Sequence, residues 1–114
     1  MLVRVNRARL KPGVEDAVFE LLRAQAAQRA RVHGLISLTI ARRMDDGGPE
    51  ELVAITFWED LDSLISAMGP DWYRSAPFPG LAEHIDEATV DHFETVISSY
   101  SQLLETAEDR EPVS

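Results

Sequence analysis

The chain has 114 residues, a net charge of −9 and no cysteine. That length fits one domain around a single core. The missing cysteine removes disulfides, thiol nucleophiles and thiolate metal sites, and the acidic balance argues against nucleic acid as the main partner. No stretch approaches the ~20 apolar residues of a membrane span, and Met1-Leu2-Val3-Arg4 lacks a signal-peptide layout, so the expected protein is soluble, cytoplasmic and without a membrane partner. Charge is split along the chain: residues 1–43 hold nine basic and three acidic side chains, the remainder two basic and seventeen acidic. An anion-binding first half would produce this split, and so would two halves that neutralise each other once folded.

Met1 to Leu10 alternates with period two, Val3 and Val5 on one side and Leu2, Ala8 and Leu10 on the other, which predicts a strand ended by Pro12-Gly13. From Val14 the apolar positions Ala17, Val18, Leu21, Leu22 and Ala26 make a helical stripe, with acids in the first turn and arginines in the last. This predicts a helix over about 14–31, with Gly34 as C-cap. Leu35 to Arg43 is a second strand with Ile36, Leu38 and Ile40 on one face, joined by the polar turn 44–50 to a third. That third strand, Glu51 to Trp58, is β-branched and aromatic. Leu61, Leu64, Ile65 and Met68 then fall at helical spacing, between Asp60 or Asp62 as cap and Gly69-Pro70 as stop.

Residues 69–80 hold three prolines and three aromatics, too punctuated for a long regular element, and read as an ordered loop or short helical turn. Leu81 to Glu87 reads as one more helical turn and Thr89 to Ile97 as the last strand. Tyr100 to Ala107 is weakly helical in pattern, so the division is a domain at 1–97 and an extension at 98–114. The order β-α-β-β-α-β predicts an α+β, ferredoxin-like fold with a four-stranded antiparallel sheet. In that topology Arg4, Arg7 and Arg9 would lie beside strands bearing Glu51, Glu59, Asp91 and Glu94. Helices cover only one face of such a sheet, so its other face calls for a second copy of the chain.

The element order, together with Phe57-Trp58-Glu59-Asp60, the helix stop at Gly69-Pro70 and the closing run Asp91-His92-Phe93-Glu94-Thr95-Val96, resembles the antibiotic biosynthesis monooxygenase domain of the dimeric α/β-barrel superfamily. The resemblance spans roughly residues 1–97. It implies a homodimer with its two sheets packed into a barrel, and a small apolar pocket between each sheet and its own helices. Members include oxygenases that act on phenols with molecular oxygen and neither metal nor flavin, and heme-degrading enzymes. The heme degraders use an Asn that Asn6 matches, but their Trp position falls on Ala67 and their His position near Arg74 to Ala76, which argues against heme chemistry. The cofactor-free oxygenases use Trp, Tyr, Asn, Arg and His, types supplied here by Trp72, Tyr73, Asn6, Arg74 and His84.

The expected function is thus a cofactor-independent monooxygenase for a small aromatic or phenolic compound, or a non-catalytic dimeric module of the same fold that binds a small ligand. Asn6 interrupts its strand and is either a pocket amide or a satisfied structural one. His84, between Glu83 and Ile85, is either a general base titrating near neutrality or a solvated surface residue. Asn6, His84 and Arg74 form the candidate catalytic set. Trp58, Met68, Trp72, Tyr73 and Phe78 form the candidate substrate wall, against the alternative of core packing or an apolar cap. No HxH or HExxH spacing is present, so no metal is expected, and no phosphate loop indicates a nucleotide cofactor.

Overall fold

A computed structural model describes residues 1–45 and 50–99. Four strands and two helices follow the order β1 (Leu2–Leu10), α1 (Glu15–Arg29), β2 (Leu35–Arg42), β3 (Glu51–Trp58), α2 (Leu61–Met68) and β4 (Ile85–Glu94), with a 3-10 turn at Ala82–His84. The sheet runs β2-β3-β1-β4, every neighbour antiparallel, which is the α+β, ferredoxin-like arrangement. The expected extension from residue 100 onward lies outside the described residues.

Period two in β1 decides what each face receives. Leu2, Arg4, Asn6, Ala8 and Leu10 share one face, opposite Trp58, Thr56, Ala54 and Leu52 of β3. Leu10 and Leu52 from this face join Val18 and Leu22 of α1 and Leu81 as the buried core. The other face carries Val3 and Val5 beside Phe57 and Ile55, with Phe93 of β4 opposite Val3. Neither helix covers it, and Phe93 is 53% exposed.

Helix α2 starts and stops as its sequence dictates. The Asp60 side chain accepts from Ser63 N at 2.8 Å at the start of α2, and Gly69, at φ +84°, donates its N–H to the Ile65 carbonyl at 2.8 Å at the end. Helix α1 stops at Arg29, short of the expected 31, and Ala30 to Gly34 form a tight turn instead. Gly34 caps that turn rather than the helix, and its carbonyl accepts from Glu59 N at 2.9 Å. There the first turn of α2 rests directly on backbone, because any Cβ on Gly34 would run into the Ser63 side chain.

Three expectations need correcting. The last strand begins at Ile85 instead of Thr89 and ends at Glu94. Thr95 makes one final backbone bond to Met1, after which β1 offers no further partner, so Val96 and Ile97 remain 87% and 86% exposed. A bulge between Leu35 and Ser37 turns Ile36 out of the row that Leu38 and Ile40 occupy. Of the expected cross-strand charge pairs, only Arg9 stands opposite acids. Glu51 and Glu87 flank it, and Glu87 takes the salt bridge, whereas Arg7 faces Val53 and Thr89 and Arg4 faces Thr56 and His92.

Gly34→Ala is therefore expected to destabilise the protein by about 2 kcal/mol or more, from a strained positive φ plus the clash with Ser63. Urea denaturation of the single variant and of Gly34→Ala/Ser63→Gly checks this: the second substitution should recover the steric part alone.

Candidate active site

Between the sheet and its helices lies a solvent-connected cavity of about 140 Å³. Arg4 and Asn6 enter from β1, Ala54, Thr56 and Trp58 from β3, Leu38 from β2, Ala67 and Met68 from α2, Arg29 from α1, and Phe78 from the connecting loop. A smaller hollow of about 40 Å³ adjoins it, sharing Asn6, Ala54, Ala76 and Phe78. An apolar cavity of about 150 Å³ takes one benzene ring, so the larger space is on the scale of a single ring.

Its polar groups are few and individually held. Asn6 Oδ1 accepts from Ser75 Oγ at 3.0 Å, which orients the amide. Its Nδ2 has no acceptor among the described residues. Trp58 is buried, and its Nε1 donates to Thr56 Oγ1 at 2.9 Å, which leaves the Thr56 hydroxyl proton available. Arg29 stacks over the Phe78 ring at 4.4 Å from its centroid, fixing that wall.

Arg4 is the unforeseen member. It is only 5% exposed, and the sheet register forces it inward beside Asn6. Its Nη1 donates to the Trp72 carbonyl and meets His92 Nε2 at 3.2 Å, while Nη2 donates to the Arg74 carbonyl at 3.0 Å. Among the described residues it has no carboxylate partner. Burial pushes its pKa below the usual guanidinium value, yet a guanidinium stays charged at neutral pH. His92 is pulled below the ordinary imidazole value, first by burial and then by the Arg4 charge, with Asp91 opposing. Neutral His92 accepts from Arg4 at Nε2, which fixes its proton on Nδ1.

Of the residues expected from sequence, Asn6, Trp58, Met68 and Phe78 meet on this cavity. Trp72, Tyr73 and Arg74 do not line it. Trp72 packs edge-on against His92 with centroids 5.0 Å apart, Tyr73 is 52% exposed, and the Arg74 guanidinium lies over the Tyr73 ring while its carbonyl serves Arg4. His84 stands in the 3-10 turn, 3.6 Å from Glu83, and is also absent from the lining. The missed members are Arg4, Thr56 and Ser75. Arg4 was detectable, because it has the same parity as Leu2, Ala8 and Leu10.

The family model for antibiotic biosynthesis monooxygenases matches residues 1–75. The chain belongs to that family. Solved structures agree on the fold. A family protein from Nitrosomonas europaea is 18% identical, with 85% of this chain and 100% of that one aligned at TM-score 0.69. One from Bacillus cereus is 17% identical over 88% and 97% of the two chains at TM-score 0.65. The heme-degrader MhuD of Mycobacterium tuberculosis, whose structure holds two hemes in its active site, is 19% identical over 88% and 100% at TM-score 0.67. No curated protein matches.

MhuD raises the question of heme, and the cavity of this family member does not fit it. Heme iron requires an imidazole, thiolate, thioether or phenolate ligand. The lining offers no His, Cys or Tyr, the single thioether of Met68 comes without any of them, and the volume is that of one ring. Ala67, at the position expected for Trp in the heme degraders, and Ala76, within the 74–76 stretch expected for their His, border the cavities but offer only methyl groups. Among the described residues no group of three His, Cys, Asp or Glu could hold a metal, and no helix is long and apolar enough to cross a membrane.

The depressed His92 pKa carries a pH consequence. The unfolded state binds this proton more readily than the folded one, so its contribution is present above the unfolded value of about 6.5 and is lost as pH falls through the lower folded value. The melting temperature should drop between pH 7 and 5, and His92→Gln should flatten that part of the profile. An NMR titration placing the His92 pKa above 6.5 would contradict the assignment.

Proposed function

We propose that this family member is a monooxygenase that acts on a single-ring phenolic compound, without a metal or organic cofactor. The observation that carries the reading is a ring-sized apolar cavity with the Asn6 amide fixed on its wall by Ser75. Trp58, Met68 and Phe78 would exclude water from the ring, and Asn6 Nδ2 and the Thr56 hydroxyl would donate to a substrate oxygen. In the overall reaction one atom of molecular oxygen enters the ring as a quinone carbonyl, the other leaves as water, and the ring supplies the electrons. A homodimer belongs to the same proposal. The open face with Val3, Val5, Ile55, Phe57 and Phe93 is apolar enough to need a partner sheet, and a second copy supplies an identical one.

One feature favours the alternative of a small-ligand-binding module. Among the described residues the cavity wall has no Asp, Glu, His, Lys or Tyr, so no side chain described there is suited to take a phenol proton.

Oxygen uptake measured with one-ring phenols and hydroquinones, alongside larger anthrones, separates the two. The oxygenase reading expects uptake with the one-ring compounds, weaker uptake with the anthrones, and a fall in kcat/KM of about 10²-fold in Asn6→Ala. No uptake across the panel, with ligand binding intact, would establish the module. Sedimentation equilibrium should give twice the chain mass, and Phe57→Glu should shift it towards one.

A further inference from the structure

The cavity combines two facts that pull in one direction. Its wall holds two guanidiniums, Arg4 and Arg29, and no carboxylate, in a chain whose net charge is −9. One of the two, Arg4, is buried at 5% exposure with no acid against it among the described residues. Taking a lone cation out of water is costly, and three neutral acceptors, two carbonyls and an imidazole, offset only part of that cost.

The arrangement of the Arg4 donors is also incomplete. Nη1 meets the Trp72 carbonyl and His92 Nε2, and Nη2 donates to the Arg74 carbonyl. Among the described residues the Nε–H has no acceptor, and Nη2 makes one bond. Among the described residues the one sealed side-chain polar atom without a partner is Thr95 Oγ1. Arg4 Nε is therefore not sealed, and Arg4 is one of the residues that line this cavity. An Nε–H and an Nη2–H side by side are the fork that receives an ionised oxygen.

We propose that the ligand is a single-ring aromatic anion, carrying a carboxylate or a phenolate that Arg4 receives on its free edge, and that Arg4 is the residue that sets this specificity. Arg29, stacked on Phe78 at the same cavity, adds to the positive potential. A ligand already ionised also needs no side-chain base, which accounts for a wall that has none. The titratable and charged groups around the Arg4 guanidinium are His92 and Asp91 on β4, Arg29 on α1 and Arg74 on the loop, and the acid among them, Asp91, faces away with Val5 on the opposite sheet face.

The proposal rests on the cavity being the substrate site, and its test reads binding instead of turnover. Calorimetric titration with benzoate, with 4-nitrophenol below and above its ionisation, and with toluene as a neutral ring would be made on the wild type, Arg4→Met, Arg4→Lys and Arg29→Met. At least one anion should bind tenfold or more tightly than toluene, and the anion that does so distinguishes carboxylate from phenolate. Arg4→Met should lose at least tenfold for that anion and markedly less for toluene, Arg4→Lys should recover part of the anion loss, and Arg29→Met should lose less. If Arg4→Met does not fold, the comparison of Arg4→Lys and Arg29→Met with the wild type carries the decision. Equal affinity for toluene and both anions, no binding of any ring, or anion affinity within twofold of wild type in the Arg4 variants would overturn the proposal. Anion binding without oxygen uptake would overturn the oxygenase reading alone, and oxygen uptake that is indifferent to Arg4 would overturn this one alone.

Discussion

A buried guanidinium holds the architecture of the site together. Arg4 leaves the middle of the sheet and binds the backbone of the loop after α2 at two carbonyls, so β1, the 72–74 segment and β4 through His92 are joined at one group. Residues 69–80 form no long regular element and lack the backbone ladder that orders a strand or helix. Arg4 supplies the missing constraint from the sheet, and Ser75 repeats it one strand position along by bonding Asn6. The two inward polar residues of β1 thus both anchor the loop that closes the cavity.

That geometry follows from strand parity. A shift of one residue in the pairing of β1 would exchange Arg4 and Asn6 for Val3 and Val5, placing aliphatic groups against the helices and charge on the open face. The observed register does the opposite. It leaves one sheet face apolar and uncovered by either helix, and gives the helix-covered face a polar patch set within Trp58, Met68 and Phe78. The cavity and the open apolar face are therefore two products of the same alternation.

Much of this could be read from the residues, and the failures have physical causes. The α2 boundaries were legible because Asp60 and Gly69 act locally, one by side-chain capping and the other by a positive φ. The end of β4 was not, because Val96 and Ile97 look like strand residues and stop being so only where β1 runs out of backbone to pair. Asn6 stood out as an amide in a strand. Arg4 did not, because arginine on a first strand beside later acids suggests a surface ion pair, although its parity with Leu2, Ala8 and Leu10 puts it on the core face. Trp72, Tyr73, Arg74 and His84 match by chemical type, and type alone carries no direction. The fold turns Trp72 onto His92, leaves Tyr73 half exposed and uses the Arg74 backbone instead of its guanidinium.

The proposed specificity depends on where an anionic ring sits and what touches it. A crystal structure of the protein with bound benzoate or 4-nitrophenolate tests this most directly. The ring is predicted to lie among Trp58, Met68 and Phe78, with an ionised oxygen within hydrogen-bond distance of Arg4 Nε and the Asn6 amide nearby. A ring bound elsewhere, or a carboxylate of the chain itself occupying the free edge of Arg4, would contradict it.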